Sequence, residues 1–198
     1  MKYEAAFAEF FAKQLVFDIN DARRFLFRMG ASEAYIRLML HNLVQDGKIQ
    51  RIGKGTYSYN RNESLIGFKF RPFYYGLQYA LTIRKLWTQQ SSPVIMTRSL
   101  ANPGIRDIMG IRVIVHRINE RAFFGYDYVN YGGVFVPVSD VEKTLLDLNY
   151  YGLSIDPETK ERLNEMANRS KLLEYTSKLY GMTGKMRYFV KKHSSATY

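Results

Sequence analysis

Apolar residues recur at helical spacing from the N-terminus to Gln45, and the pattern then switches to alternation. Phe7, Phe10, Phe11 and Leu15 place a first helix over residues 1–15. Asp18 or Asn20 offers a cap for a second helix, with Ala22, Phe25, Leu26 and Met29 as its buried side. Gly30 ends that helix. Ser32 starts the next, because its hydroxyl accepts from a free backbone N–H. This third helix runs over residues 33–45, with Ile36, Leu40, Leu43 and Val44 on one face, and Gly47 stops it. Lys48-Ile49-Gln50-Arg51-Ile52 alternates as a half-buried strand does. Gly53-Lys54-Gly55 supplies a turn, and Thr56-Tyr57-Ser58-Tyr59 returns as a β-branched and aromatic strand. Residues 61–70 read as a linker or a crossover strand.

From Arg71 the pattern changes. Residues 73–89 read as a long aromatic helix containing Tyr79, Leu81, Ile83, Leu86 and Trp87, broken by Ser91-Ser92-Pro93. Strands are expected at 94–97, 111–116, 123–128 and 133–138. Residues 98–110 and 117–121 carry no clear period. Ser139 followed by Glu142 predicts a capping box at the head of a helix bearing Leu145, Leu146 and Leu148. Asp156-Pro157 opens another helix, with proline at its first position. One or two basic helices finish the chain. The fold class is α+β, in which residues 1–60 form one domain and residues 71–198 a second, with a small sheet and a helical tail.

Helix, helix-turn-helix and hairpin in that order make a winged helix-turn-helix, whose third helix is narrow enough to enter the major groove of double-stranded DNA, about 12 Å wide. Its face away from Ile36, Leu40 and Leu43 offers Ser32, Glu33, Tyr35, Arg37, Leu38, His41 and Asn42. Arg37 leads these, because a guanidinium bonds a guanine edge through two hydrogen bonds. Ser32 suits a phosphate as well as it suits its role as a cap. Tyr35 and His41 are candidates for backbone or base contacts. The hairpin adds Lys48, Arg51 and Lys54 for phosphates, contacts that give affinity and salt dependence but no sequence choice.

The 198 residues carry a formal net charge of +11, which favours a polyanionic partner, nucleic acid or an anionic membrane surface. Glu4 and Glu9 interrupt the N-terminal apolar stretch, so no signal peptide is expected there, and no apolar run reaches transmembrane length. Together with the absence of cysteine, this leads to the expectation of a cytoplasmic protein without membrane, disulfide or thiolate-metal chemistry. His41, His116 and His193 lack ligand spacing. Gly53-Lys54-Gly55-Thr56 resembles part of a phosphate loop, but Lys54 is followed by glycine in a hairpin context. No cofactor and no catalytic set is expected. The basic stretch Arg169, Lys171, Lys178, Lys185, Arg187, Lys191 and Lys192 is either a second nucleic-acid contact or a solvated helix face.

The chain also resembles the AbiEi-type antitoxins of type IV toxin–antitoxin systems. In the first domain the likeness rests on Ile36-Arg37, Leu40, Leu43-Val44, Asp46-Gly47-Lys48-Ile49 and Ile52-Gly53-Lys54-Gly55-Thr56-Tyr57. In the second it rests on Tyr74-Tyr75-Gly76-Leu77, Ala80-Leu81, Phe124-Gly125-Tyr126 and the run from Val138 to Asp147, where Asp140 and Val141 replace a common Ala/Pro-type pair. The resemblance implies a repressor of its own operon that binds inverted repeats. It also implies a second domain that neutralises a nucleotidyltransferase-like toxin without a stable complex. Two alternatives stand beside it. One is a regulator with no toxin partner. The other is a metal-dependent nucleic-acid enzyme using Glu142, Asp147 or Glu158.

Overall fold

The computed structural model describes residues 2–179 of the chain. The fold is α+β, and it divides into two compact units. The first comprises the residues up to Lys69 with Ile108–Gly110, the second Phe70–Asp107 and the residues from Ile111 on.

The first unit runs α1 (Glu4–Phe11), β1 (Phe17–Asp18), α2 (Ile19–Arg28), α3 (Glu33–Gln45), β2 (Gln50–Gly53) and β3 (Thr56–Ser58). The three strands form one antiparallel sheet in the order β1-β3-β2, with Phe17 opposite Tyr57 and Arg51 opposite Tyr57 on the other side. Asp18 is the cap of α2: its carboxylate accepts from the N–H groups of Asn20 and Asp21, while Asp21 accepts from the N–H of Asp18. That reciprocal pair satisfies donors a helix N-terminus otherwise leaves open. The core is aromatic. Phe7 lies 4.4 Å from Phe11 and 5.5 Å from Phe17, ring centre to ring centre, above Ala22, Leu26, Ile36, Met39, Leu40 and Leu43.

Several expected positions move. The first helix stops at Phe11, not at residue 15, because the chain must leave it to set Phe17 and Asp18 beside β3. Leu15 is exposed beyond the end of the helix, Phe10 is exposed on α1 itself, and Met29 is exposed as the C-cap of α2 rather than part of its buried side. Residues expected as a linker hold a 3-10 helix, Glu63–Phe70, in which Ser64, Leu65 and Ile66 are fully buried.

The second unit contains β4 (Phe73–Tyr75), α4 (Leu77–Ile83), β5 (Val94–Thr97), β6 (Gly104–Ile108), β7 (Ile111–Arg117), β8 (Tyr126–Tyr131), β9 (Val134–Ser139), α5 (Val141–Tyr151), α6 (Pro157–Met166) and α7 (Arg169–Leu179). Its sheet has the order β6-β7-β5-β4-β9-β8. β5 runs parallel to β7 and antiparallel to β4, while β4 runs parallel to β9 and β9 antiparallel to β8.

The aromatic run at residue 73 therefore opens as a strand, not as a helix. Phe73, Tyr74 and Tyr75 are all buried in the middle of the sheet, where both faces are covered and polar alternation disappears. The helix begins only after Gly76, where a Cβ would come within 2.7 Å of Met96 on the neighbouring strand. The strand expected at 123–128 starts at Tyr126, because a 3-10 turn at Glu120–Ala122 and the left-handed Gly125 take up the preceding residues. The head of α5 also differs: Asp140, not Ser139, caps it by accepting from the N–H of Lys143 at 2.8 Å. Ser139 ends β9, with its hydroxyl 2.7 Å from that of Thr144. Asp156 caps α6 with Pro157 behind it, and its second carboxylate oxygen accepts from the indole N–H of Trp87 at 3.0 Å. Of the basic tail, Arg169, Lys171 and Lys178 lie on α7, whereas Lys185, Arg187, Lys191 and Lys192 lie outside the described residues.

Candidate functional site

In the first unit, helix α3 carries most of the expected site. Ser32 is its N-cap and accepts from the N–H of Tyr35 at 3.3 Å. Ile36, Met39, Leu40 and Leu43 are buried at successive turns, which fixes the rotation of the helix about its axis. Ser32, Arg37, Leu38 and His41 are exposed, Leu38 at 54%.

Tyr35 departs from this face. It is half-buried, its ring meets that of Tyr3 edge-on at 5.4 Å, and its hydroxyl accepts from the N–H of Tyr3 at 3.2 Å. It holds the start of α1. Lys48 is also committed: its ammonium lies 2.5 Å from Glu4 and 3.7 Å from Asp46. Arg51 and Lys54 are exposed on the hairpin, with Lys54 in the turn between β2 and β3, next to Gly55 at φ +73°. The carbonyl of Lys54 accepts from the ammonium of Lys69 at 2.8 Å, which ties the turn to the 3-10 helix.

A further group was not legible from the α3 pattern alone. Arg23 of α2 forks onto Glu33, its Nε 3.0 Å and its Nη2 2.6 Å from the carboxylate, and Arg37 reaches the same carboxylate through Nε at 2.8 Å. Hydrogen bonds from Arg23 and then Arg37 hold the Glu33 carboxyl below its ordinary pKa. The Glu33–Arg37 pair has a spacing that sequence can suggest. Arg23 lies ten positions upstream on another helix and gave no signal.

The second unit holds a different polar centre. Lys143 is 1% exposed, and its ammonium lies 2.5 Å from Asp147 one turn along α5. The hydroxyl of Tyr74 on β4 donates to the other Asp147 oxygen at 2.9 Å. The ammonium also sits over the Phe124 ring, 5.2 Å from its centre. Burial raises the pKa of Asp147, and burial with the adjacent Asp147 carboxylate pushes Tyr74 well above the usual phenol value. Alongside, the hydroxyl of Tyr175 donates to Asp140 at 2.9 Å, and Lys171 bridges Asp140 at 3.0 Å and Glu142 at 3.2 Å. Gly125 packs between Lys143 and Tyr175, where a Cβ would meet both at 2.8 Å.

Glu142 does more than serve the head of its own helix. It accepts from the N–H of Asn168 at 2.7 Å and so fastens the start of α7 to α5. Burial works against its charge, but the Asn168 N–H and the Lys171 ammonium outweigh this and leave its pKa below the ordinary 4.5. The stabilisation from Glu142 is therefore complete above pH 4.5 and is lost as pH falls through the lowered value. Asp147, raised by burial, contributes in the opposite sense. Acid titration should loosen α7, read as lower amide protection factors over residues 169–179 once exchange rates are corrected for their intrinsic pH dependence, and Glu142→Gln should flatten that trend. An equal pH slope in both proteins would show that another group fastens the helix.

Every charged group of this second centre is partnered, and Glu142 and Asp147 lie against ammonium groups. Among the described residues no group of three or more His, Asp or Glu side chains is placed to hold a metal ion, and no helix is long and apolar enough to cross a membrane. His41 stands exposed on α3, while His116 packs its ring 4.4 Å from that of Tyr151, and burial lowers its pKa. No family model matches the chain, and no curated protein matches it. Among solved structures it is similar to the crystal structure of the RV2827C protein from Mycobacterium tuberculosis, with a TM-score of 0.64 at 13% identity, over 94% of this chain and 74% of that one. At that identity the likeness shows a shared α+β fold.

Proposed function

We propose that the first unit is a winged helix that binds double-stranded DNA, and that the protein is a sequence-specific transcriptional repressor. The order α1-β1-α2-α3-β2-β3 with a three-stranded antiparallel sheet supports this reading. The observation that carries it is α3 itself. One face is locked into the core by four apolar side chains, and the other presents Ser32, Arg37, Leu38 and His41 to solvent. Such a helix has a defined rotation and an exposed, mostly polar face, as reading of the major groove requires. Arg51 and Lys54 on the hairpin supply cations for phosphates. Lys48 and Tyr35, proposed with them as DNA contacts, also support α1 through Glu4 and Tyr3.

The resemblance to AbiEi-type antitoxins extends the proposal. The repressor acts on its own operon, and the second unit serves to neutralise a nucleotidyltransferase-like toxin without a stable complex. A regulator without a toxin has the same first unit, and the presence of a nucleotidyltransferase in the same operon separates the two. Of the enzyme alternative's candidates, Glu142 and Asp147 are paired with lysines and Glu158 is exposed on α6; metal-dependent turnover lost in Glu142→Ala would mark that alternative.

The test is binding of the full chain to the duplex directly upstream of its own gene and to a scrambled duplex of equal length, at two salt concentrations. Tighter binding to the native duplex is expected. Lys54→Ala should weaken both duplexes alike and reduce the salt slope by about one phosphate contact. Arg37→Ala should weaken the native duplex alone. Equal weak binding to both duplexes by the unaltered protein would reject sequence-specific repression.

A further inference from the structure

An acidic residue at the head of a DNA-facing helix presents a physical difficulty. Phosphates repel a carboxylate, and Glu33 is the first residue of α3, immediately after its cap. The structure answers this with two guanidinium groups. Arg23 holds Glu33 through Nε and Nη2, and is itself tethered by donating from Nη1 to the side-chain carbonyl of Asn20 at 3.1 Å. The Glu33 carboxylate then accepts from Nε of Arg37 at 2.8 Å. The three charges sum to a net positive one, so the head of the helix still suits an anionic partner. The exposure of the side chains increases outward, from 30% for Arg23 and 36% for Glu33 to 68% for Arg37.

The consequence lies in which nitrogens are used. Arg37 is gripped at Nε, close to its stem. Among the described residues no hydrogen bond engages its two terminal nitrogens, the pair that forms an end-on fork to the O6 and N7 acceptors of guanine. A free arginine side chain samples many rotamers, and part of that freedom is lost when it docks. An arginine already fastened at Nε has lost part of that freedom before DNA arrives, and its plane is set by the carboxylate.

We infer that Glu33, clamped by Arg23, is a positioning residue that fixes the guanidinium of Arg37 for reading a guanine base. This rests on the reading of α3 as the DNA-facing helix. The clamp converts an exposed cation, which alone binds any phosphate, into a group with one preferred direction. Glu33 thus contributes to sequence choice while opposing general affinity, since its charge is the wrong sign for DNA.

That opposition of signs gives a test that a loss of folding does not mimic. The full chain is titrated with the native upstream duplex, with a set of duplexes carrying single base-pair changes, and with the scrambled duplex, all at one salt concentration. Arg37→Ala should cut the preference for native over scrambled DNA by about tenfold, the order of one bidentate base contact. Glu33→Gln should cut the preference several-fold at the same base pair, while binding to the scrambled duplex holds or tightens. Arg23→Lys, which keeps the charge and loses the fork, should fall between Glu33→Gln and the unaltered protein. If Arg37→Ala relaxes the preference and Glu33→Gln does not, positioning by Glu33 is overturned and the reading of α3 stands. If Glu33→Gln weakens native and scrambled duplexes equally, Glu33 acts on the fold and the inference is likewise overturned. Should Arg37→Ala leave the preference unchanged, or the unaltered protein show none, the reading of α3 fails and the inference falls with it.

Discussion

Asp147→Ala is expected to destabilise the second unit by about 3–5 kcal/mol, because it strands a buried ammonium. Lys143 has its charge inside the unit, and Asp147 is the carboxylate that pairs with it. The rings of Phe124 and Tyr74 face the same ammonium but carry no net charge, so they cannot replace the carboxylate. The hydroxyl of Tyr74 also loses its acceptor, which adds to the cost. Urea unfolding followed through the second unit is the measurement, with amide exchange over α5 as the local reading. A double change to apolar residues of similar size, Lys143→Met with Asp147→Leu, should recover most of the loss, since it removes both charges together. A midpoint for Asp147→Ala close to that of the unaltered protein would mean that water reaches Lys143 and that the pair is not buried in solution.

Phe7→Ala is the second large effect, and it falls on the first unit. The ring is fully buried and lies within 6.5 Å, centre to centre, of Phe11, Phe17, Phe25 and Tyr59. Truncating such a side chain costs about 3–5 kcal/mol. A unit of this size has a total stability of roughly 3–10 kcal/mol. The variant should therefore be partly or wholly unfolded in the first unit, with the proposed duplex binding lost and the second unit's unfolding transition retained. Phe7→Leu keeps most of the volume and should cost far less. Binding with native affinity by Phe7→Ala would show that the aromatic cluster does not hold α3 in place.

The two units were unequally legible in the sequence. In the first, each element from α2 to β3 carries its own local signal: a capping residue, a helical period, a glycine stop, then alternation. What was missed there is β1, two residues long and too short for any period, and the shortening of α1 that it forces. In the second unit the error at Phe73-Tyr74-Tyr75 has a plain cause. A fully buried run has no polar side, so helix and strand read alike until the neighbouring strands are known. Ser139 and Asp140 show a subtler failure, since both are good caps and only the end of β9 decides between them.

Net charge was a coarse guide. Residues up to Lys69 hold eleven Lys and Arg against seven Asp and Glu, so they account for +4 of the total of +11. The same +4 comes from residues 180–198, which have four basic residues and no acid and lie outside the described part of the chain. The site is better marked by which cations are left outward than by how many there are. Lys48 counts toward the total yet is bound to Glu4, while Glu33 counts against it and sits at the head of the outward face.

The order of strands has a consequence for how the chain is made. The sheet of the first unit is complete once Ser58 has been added, because β1, β2 and β3 lie close together in sequence. The centre of the second sheet cannot close so early: Tyr75 waits for Val138 as its parallel partner, and the edge strand β8 is synthesised before the strand that carries it inward. On a ribosome the first unit is therefore ready to fold while β4 still lacks one neighbour. A messenger cut short between Gly110 and Val138 yields a polypeptide that holds all residues of the first unit and an open second sheet, in which β4 can pair with β5 but still lacks β9. Such a fragment presents an unpaired apolar strand edge, which invites pairing with another chain.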